Sequence, residues 1–285
     1  MQYRYGWQCL ILASVALQSS STQAQTPSPL PEWQYSAGQP LRVYAQWGKL
    51  PIWEANIGPS ANFQPKYDGS SNYHLRPGLT LDIRYSDVAF LSDGEGLGYN
   101  ILRGKNHRAG LAITYDLGRH ERDDSNLRGM DSLRPAPELK AFAEYLFFPV
   151  TVRGDIRHGF GGYNGWIGDF SVYLPVAGSE KYKYFVFFGP SITVADQDYL
   201  QAYFGVTPEQ SVRSGYPVYR TGGGLKEVSL GVNATWFFYK QYFVNFTSGG
   251  NRYLDNAAHS PLTHDKLQGV ADLSLGYDFR TETTD

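Results

Sequence analysis

Residues able to perform catalysis are few in this chain. Its six histidines are His74, His107, His120, His158, His259 and His264. A histidine beside a serine can activate the hydroxyl as a nucleophile, so His158 with Ser171 is a candidate pair for an esterase or lipid deacylase. The neighbouring carboxylates Asp123 and Asp124 lie in a charged segment, where we expect them to be solvated. Metalloprotease, serine-hydrolase, phosphate-loop and dinucleotide motifs are absent from the sequence. We therefore predict a non-enzymatic protein without catalytic, cofactor-binding or metal-binding residues.

The first residues have the organisation of a secretory signal peptide. Arg4 supplies positive charge, and Cys9 to Leu17 form an apolar stretch. Thr22-Gln23-Ala24 suits a signal peptidase, so we predict cleavage between Ala24 and Gln25. A signal anchor is the alternative, but the apolar stretch is shorter than the roughly 18 residues of a membrane-spanning helix.

The rest of the chain reads as one exported domain. We predict a signal peptide over residues 1–24, a flexible periplasmic segment over 25–40 and a barrel domain over 41–285. Cys9 is the one cysteine and leaves with the signal peptide, so the mature chain forms no disulfide. The net charge of -2 lacks the basic excess of nucleic-acid binding proteins, so we expect no nucleic-acid partner.

Apolar and polar residues alternate along several segments, which predicts β-strands. Between Gly78 and Ser86 the apolar positions are Leu79, Leu81, Ile83 and Tyr85. The same period recurs along the chain and predicts twelve strands, at about 53–62, 77–85, 88–92, 97–103, 107–117, 138–148, 150–160, 166–176, 182–195, 224–239, 242–254 and 269–279. The third is short, so ten strands is the alternative.

Alternation suits both a soluble sandwich and a membrane barrel, and three features favour the barrel. The better strands have about ten residues, which matches a tilted membrane strand. Short connections such as Lys240-Gln241 alternate with long ones such as Arg119 to Pro137, as periplasmic turns alternate with external loops. Aromatic residues collect beside the short turns, as at Trp236 to Tyr239, and predict an interfacial girdle. We therefore predict an all-β fold, a single antiparallel transmembrane β-barrel.

In such a barrel the polar set faces the lumen. That set is Asp82, Arg84, Arg108, Asp116, Glu138, Lys140, Glu144, Arg153, Asp155, Arg157, Asp169, Glu227, Asp272 and Asp278. The mixed signs favour ion pairs that stiffen the wall over a selective pore. In the longest loop, Thr207, Pro208 and Gln210 predict the start of a short helix with a capping box, and Gly215 can end it.

The residues of this loop closely resemble the MipA/OmpV family. The matching positions include Asp196, Tyr199, Tyr203, Phe204, Gly205, Val206, Thr207, Ser214, Gly215, Tyr219, Gly224, Leu225 and Lys226. Further matches such as Tyr67 to Ser70 and Gly159 to Trp166 extend the resemblance over nearly all of the mature chain.

The resemblance implies a protein of the Gram-negative outer membrane, surrounded by its lipid. The founding member is described as a scaffold that joins a membrane-bound lytic transglycosylase to a bifunctional penicillin-binding protein during murein growth. Other relatives are described as adhesins, osmotically regulated proteins or antigens, so an adhesin built on the long loops stays open as an alternative. A passive channel is a further alternative, because the inward face is polar. One position departs from the usual pattern, because the terminal-strand aromatic Phe279 is followed by six polar residues.

Overall fold

Twelve antiparallel strands close into one barrel in which each strand bonds to its neighbours in the chain and β1 pairs with β12. The computed structural model describes residues 37–281 apart from positions 180, 182 and 240, so the predicted signal peptide and its cleavage site lie outside the described residues. The strands are β1 Trp53–Pro65, β2 Tyr73–Tyr85, β3 Ala89–Ser92, β4 Gly96–Arg103, β5 His107–Asp116, β6 Ala136–Phe147, β7 Val150–Gly159, β8 Trp166–Ser179, β9 Tyr184–Ala195, β10 Gly224–Phe238, β11 Tyr242–Tyr253 and β12 Leu267–Arg280.

The twelve predicted strands are confirmed, including the short third one, and their ends differ from prediction by at most four residues. The largest difference is the start of β2, which begins at Tyr73 and runs through Pro77. Proline is tolerated in a strand only where its missing N–H costs no ladder hydrogen bond. Pro77 pairs with Ala61 of β1, but its nitrogen faces the other side of β2, where pairing with β3 begins only at Asp82.

The burial pattern along the strands is that of a membrane barrel. In β6, exposed and buried residues alternate over all twelve positions. Leu139 and Phe147 point outward and are 50% and 62% exposed, whereas Glu138 and Lys140 point into the lumen and are buried. Apolar side chains therefore cover the outside and polar side chains the inside, the reverse of a soluble β-sandwich.

The two ends of the barrel differ in their connections and share rings of aromatic residues. Short turns join the strands at one end, the short-turn end. Longer loops join most of them at the other, the long-loop end, and only β3 and β4 are joined there by a tight turn. The predicted girdle at the short-turn end is present in exposed side chains such as Trp53, Tyr85 and Trp236. A second group, which includes Phe63, Tyr115, Phe160 and Trp166, is exposed at the long-loop end. Amphipathic rings at two levels mark the two interfaces of an apolar band.

The described segment also contains a 3-10 turn at Ser125–Leu127 and four α-helices: α1 Gln39–Gln46, α2 Gln197–Phe204, α3 Pro208–Ser214 and α4 Asp255–His259. The predicted helix is α3, and its capping box between Thr207 and Gln210 is formed as expected. Gly215 ends α3 in the left-handed conformation, at φ 81°. Among the described residues, no helix has the length and apolar character to cross a membrane.

The β3–β4 hairpin is much shorter than the strands beside it. β3 has four residues, against 13 in β2 and ten in β5. The hairpin therefore ends partway up the wall, at Asp93 to Glu95, while β2 and β5 continue toward the long-loop end.

Candidate functional site

A network of buried ion pairs crosses the lumen beside the β3–β4 hairpin. Glu95, at the hairpin tip, is fully buried and accepts hydrogen bonds from the guanidinium groups of Arg84, Arg108 and Arg153. The Arg108 and Arg153 bonds to Glu95 Oε1 are 2.8 and 3.1 Å long. Glu144 accepts from Arg108 Nε at 2.9 Å and from Arg153 Nη1 at 3.0 Å. Two carboxylates therefore tie together arginines from three different strands.

A second group of charges continues the network toward the long-loop end. Arg157 contacts Asp169 at 2.7 Å, Asp155 at 2.9 Å and Glu138 at 3.6 Å. Higher in the barrel, Lys226 Nζ lies 2.8 Å from Asp68, which belongs to the loop between β1 and β2. Buried charges need partners and hydrogen bonds of this kind to offset their lost hydration.

The wall on the other side of the lumen carries uncharged polar residues. Asn233 and Thr235 of β10 bond to Asn245 and Thr247 of β11, with distances between 2.7 and 3.3 Å. The inward-facing positions predicted from the sequence are confirmed, since eleven of the fourteen are buried and Asp116, Asp155 and Asp272 are half-buried. Their pairing also supports the structural interpretation of the mixed charges.

Helix α1 lies in the lumen at the short-turn end. Ala37, just before the helix, is fully buried and packs with Tyr173 and Phe187 on the inner wall. Arg42 forms an ion pair with Glu54 at the start of β1, and the Tyr44 ring stacks on Phe148 with a centroid separation of 5.4 Å. Sequence reasoning missed this helix. The available signal was Pro40 at the first helical turn.

Helix α2 fills the lumen at the long-loop end. Its residues Tyr199, Leu200, Tyr203 and Phe204 are buried and form the centre of the largest apolar cluster in the described structure. The Tyr203 hydroxyl donates to Asp116, and the Tyr203 carbonyl accepts from Arg119 Nη1 at 2.6 Å. Burial raises the pKa of both the Tyr199 and the Tyr203 phenol well above the ordinary value, so both stay neutral.

Positions of the long-loop family signature hold this arrangement together. Asp196 caps α2 by accepting from the Tyr199 N–H at 2.9 Å, and it also accepts from the Trp166 N–H at 2.8 Å. Val206 and Tyr219 exchange two backbone hydrogen bonds of 2.9 and 3.0 Å. The remaining signature positions cap helices, form turns or begin β10, and they are Gly205, Thr207, Ser214, Gly215, Gly224, Leu225 and Lys226.

The structure does not bring the candidate catalytic pair together. His158 lies on the outer face of β7, between the rings of Phe160 and Trp166 at 4.7 and 4.6 Å. Ser171 is buried on the lumen side, opposite Arg153. The barrel wall separates them, because His158 and Ser171 lie on opposite faces of the paired strands β7 and β8. The idea of a His158–Ser171 esterase was therefore wrong.

A cavity of about 670 Å³ remains at the short-turn mouth. Phe185 and Phe237 form its apolar side, and Lys183, Asp278 and Arg280 supply charge. It opens beside α1, so this end of the barrel presents a concave surface with both signs of charge.

A closed antiparallel barrel with an apolar exterior, two aromatic girdles and a polar interior defines this molecule as a membrane β-barrel. The model of the MipA family, described as MltA-interacting protein MipA, matches residues 57–279. The chain belongs to this family. A search of curated proteins gave no match.

Among solved structures the chain is similar to other barrels at low sequence identity. An outer-membrane channel from Pseudomonas putida F1 is 14% identical, with a TM-score of 0.44 and coverage of 81% of this chain and 97% of that one. The outer-membrane channel DcaP of Acinetobacter baumannii is 11% identical, with a TM-score of 0.35 and coverage of 80% and 96%. An anion-selective porin from Comamonas acidovorans is 8% identical, with a TM-score of 0.37 and coverage of 80% and 98%.

Proposed function

We propose that this protein is a non-enzymatic scaffold of the outer membrane, exported by a cleaved signal peptide, which gathers cell-wall enzymes at its short-turn end. The orientation follows from the connections, because outer-membrane barrels turn their short connections toward the periplasm. The family's name, which refers to an interaction with MltA, supports a partner among the cell-wall enzymes. The partners that we propose are a membrane-bound lytic transglycosylase and a bifunctional penicillin-binding protein.

The closure of the lumen at both ends is the observation that carries this proposal. Helix α1 occupies the short-turn end, α2 occupies the long-loop end and the ion pairs around Glu95 cross the space between them. A barrel whose interior is used for its own cohesion offers its outer surfaces for binding. The periplasmic surface has the cavity beside Lys183, where a protein partner can bury aromatic rings and pair charges.

A capture experiment tests the scaffold. The full-length barrel is extracted from outer membranes in detergent, immobilised and offered a purified lytic transglycosylase. Lys183→Glu reverses a charge in the mouth cavity, and Lys266→Glu makes the same change on an exposed residue at the opposite end. We expect the unmodified protein and Lys266→Glu to retain the enzyme and Lys183→Glu to lose it. Failure of the unmodified protein to retain it contradicts the proposal.

A passive channel is the second candidate, and one observation favours it. Lumen-facing residues of β1 and β12 are only half-buried, among them Asn56, Ser60, Asn62 and Asp272. Residual space therefore lies along β1 and β12. Planar-bilayer recordings decide between the two functions, because single-channel conductance steps from the refolded protein support a channel and their absence rules it out.

A further inference from the structure

The barrel wall is incomplete between β2 and β5 in its long-loop half. β2 pairs with β3 from Asp82 to Tyr85, and the Asp93 N–H bonds to the Leu81 carbonyl at 3.0 Å. Beyond that point, the described part of the chain supplies no strand partner on this side of β2 residues 73–80. β5 pairs with β4 only as far as Ile113. We call this opening the β2–β5 window.

The window is wide and its edge is polar. Three strand spacings of about 4.8 Å separate β2 from β5 at the hairpin, or roughly 14 Å. In an antiparallel strand, every second residue directs its backbone polar groups to the same side. The Leu81 carbonyl points toward the hairpin, so the backbone groups of Leu79, Pro77 and Leu75 point into the window. Backbone groups without partners are not left against lipid hydrocarbon, so this edge has to meet water or a polar ligand.

Loops bridge the window above, so it is an opening with a closed rim. The Asp124 carboxylate accepts from Asn72 Nδ2 at 2.8 Å and from Ser70 Oγ at 3.1 Å. These bonds tie the loop after β5 to the loop before β2. The lower rim is the β3–β4 hairpin, which Glu95 fixes to three arginines. Both rims are therefore held in place.

The lumen is open directly behind the window. Gly78 faces inward and is exposed, and Ser60 and Asn62 on the adjacent β1 are half-buried. Gly78 lets the Ser60 and Asn62 side chains approach the backbone of β2, because an added Cβ would lie 2.6 Å from Ser60 Oγ and 2.9 Å from Asn62 Nδ2. The window thus connects the partly exposed lumen face of β1 to the outside of the barrel.

An arginine and a histidine lie beside this space. Arg76 is half-buried on the lumen face of β2 and forms no hydrogen bond or ion pair within 4 Å among the described residues. His74, two positions along, has a buried Nε2 that also lacks a partner there. Asp123 of the loop after β5 uses its Oδ2 to accept from the His120 N–H at 2.7 Å.

The outer side of the window is apolar. Leu75, Leu79 and Tyr115 are 70%, 46% and 54% exposed and face the lipid. Basic groups inside and apolar groups outside are the complement of one class of molecule, an anionic head group joined to a hydrocarbon chain.

We propose that the β2–β5 window binds a single-chain amphiphile with an anionic head group. The head group lies in the lumen against Arg76 and His74, and the chain passes through the window into the outer leaflet. This site is independent of the scaffold proposed for the short-turn end, so either proposal can fail without the other.

Binding of a fluorescent long-chain fatty acid to the full-length protein in lipid nanodiscs tests the head-group site. Arg76→Gln and His74→Gln each remove a basic group, and Arg252→Gln removes an exposed arginine from the outer end of β11. We expect each of the first two changes to weaken binding about tenfold and Arg252→Gln to have no effect. The uncharged methyl ester should bind the unmodified protein about tenfold more weakly than the acid.

Equal binding of acid and ester, or unchanged binding by Arg76→Gln and His74→Gln, overturns the proposal. A heat-induced mobility shift on a detergent gel shows for each variant that the barrel is folded, so a loss of binding is not a loss of structure.

A photoreactive group at the end of the hydrocarbon chain tests the route through the wall. We expect cross-links at Leu75, Leu79 or Tyr115, and the same residues should be labelled by probe preloaded in the bilayer and by probe added in water. Cross-links confined to α2 or to the short-turn cavity overturn the lateral route. If only the probe added in water labels these residues, the site is reached from the aqueous side alone, and the proposed connection between the window and the outer leaflet is wrong.

Discussion

At the scale of residues, cohesion of the barrel depends on a few buried charges in the lumen. Glu95 shows this most clearly, because it is fully buried and accepts from three arginines on β2, β5 and β7. The rings of Phe90 and Phe142 lie close to the same guanidinium groups, with Arg153 5.0 Å from the centroid of Phe142. Removal of one partner from such a group leaves the others charged and without compensation.

Glu95→Gln keeps the size of the side chain and removes its charge. We expect the free energy of unfolding to fall by about 3–5 kcal/mol, the usual effect of breaking a buried ion pair. Urea unfolding in detergent, followed by tryptophan fluorescence, measures it. Asp131→Asn is the control, because Asp131 pairs with Arg213 on the surface with both side chains about half exposed, and exposed pairs contribute less than about 1 kcal/mol. Equal effects of the two changes would argue against the network.

At the scale of elements, short helices and one short hairpin distinguish this barrel from a plain cylinder of strands. Helix α1 has eight residues, too few to be stable alone in water. It is held by packing of Ala37 against Tyr173 and Phe187 and by the Arg42–Glu54 ion pair. Helix α2 is held in the same way at the other end, by the cluster around Tyr199 and Tyr203.

Deletion of residues 37–46 removes α1 and should open the lumen at the short-turn end, while the strand pairing stays intact. We expect a folded barrel, recognised by its heat-induced mobility shift, with a higher single-channel conductance than the unmodified protein. Tyr44→Ala is the matched control, since it removes the stacking on Phe148 and keeps the helix. If the deletion leaves the conductance unchanged, α1 does not limit passage through the lumen.

At the scale of the whole molecule, the arginine–carboxylate network is concentrated on one side of the lumen, inside an apolar exterior. Arginine and carboxylate pairs occupy β2 and β5 to β8, whereas asparagine and threonine line β10 and β11. On the exterior, apolar residues are exposed at alternate positions of the strands, as in β6 and β12. Membrane insertion is therefore a property of the exterior, whereas the cohesion of the barrel depends on its interior.

Ala141→Arg places a charge on the lipid-facing side of β6 near its middle. We expect it to lower the free energy of unfolding in lipid vesicles by about 2–4 kcal/mol. Leu267→Arg, at the long-loop start of β12, is the control and should cost about 0–1 kcal/mol because it lies near the interface. Chemical unfolding in vesicles gives both values. A similar cost for the two variants would place the membrane elsewhere on the barrel.

Much of the fold could be predicted from the sequence, because strand character is a local property. Alternation of Leu79, Leu81 and Ile83 with Thr80 and Asp82 identified β2 and its two faces. The capping residues Thr207 and Gln210 identified α3, since each recognises groups within three positions of the other.

Sequence alone determined that this chain alternates its faces, ends its strands at aromatic residues and carries mixed charges inward. The tertiary structure decided which charges meet, that α1 and α2 enter the lumen, and that a short β3–β4 hairpin leaves a window beside Arg76. It also separated His158 from Ser171. The physical reason is distance along the chain: Glu95 and Arg153 are 58 positions apart, and only closure of the barrel brings them within a hydrogen bond.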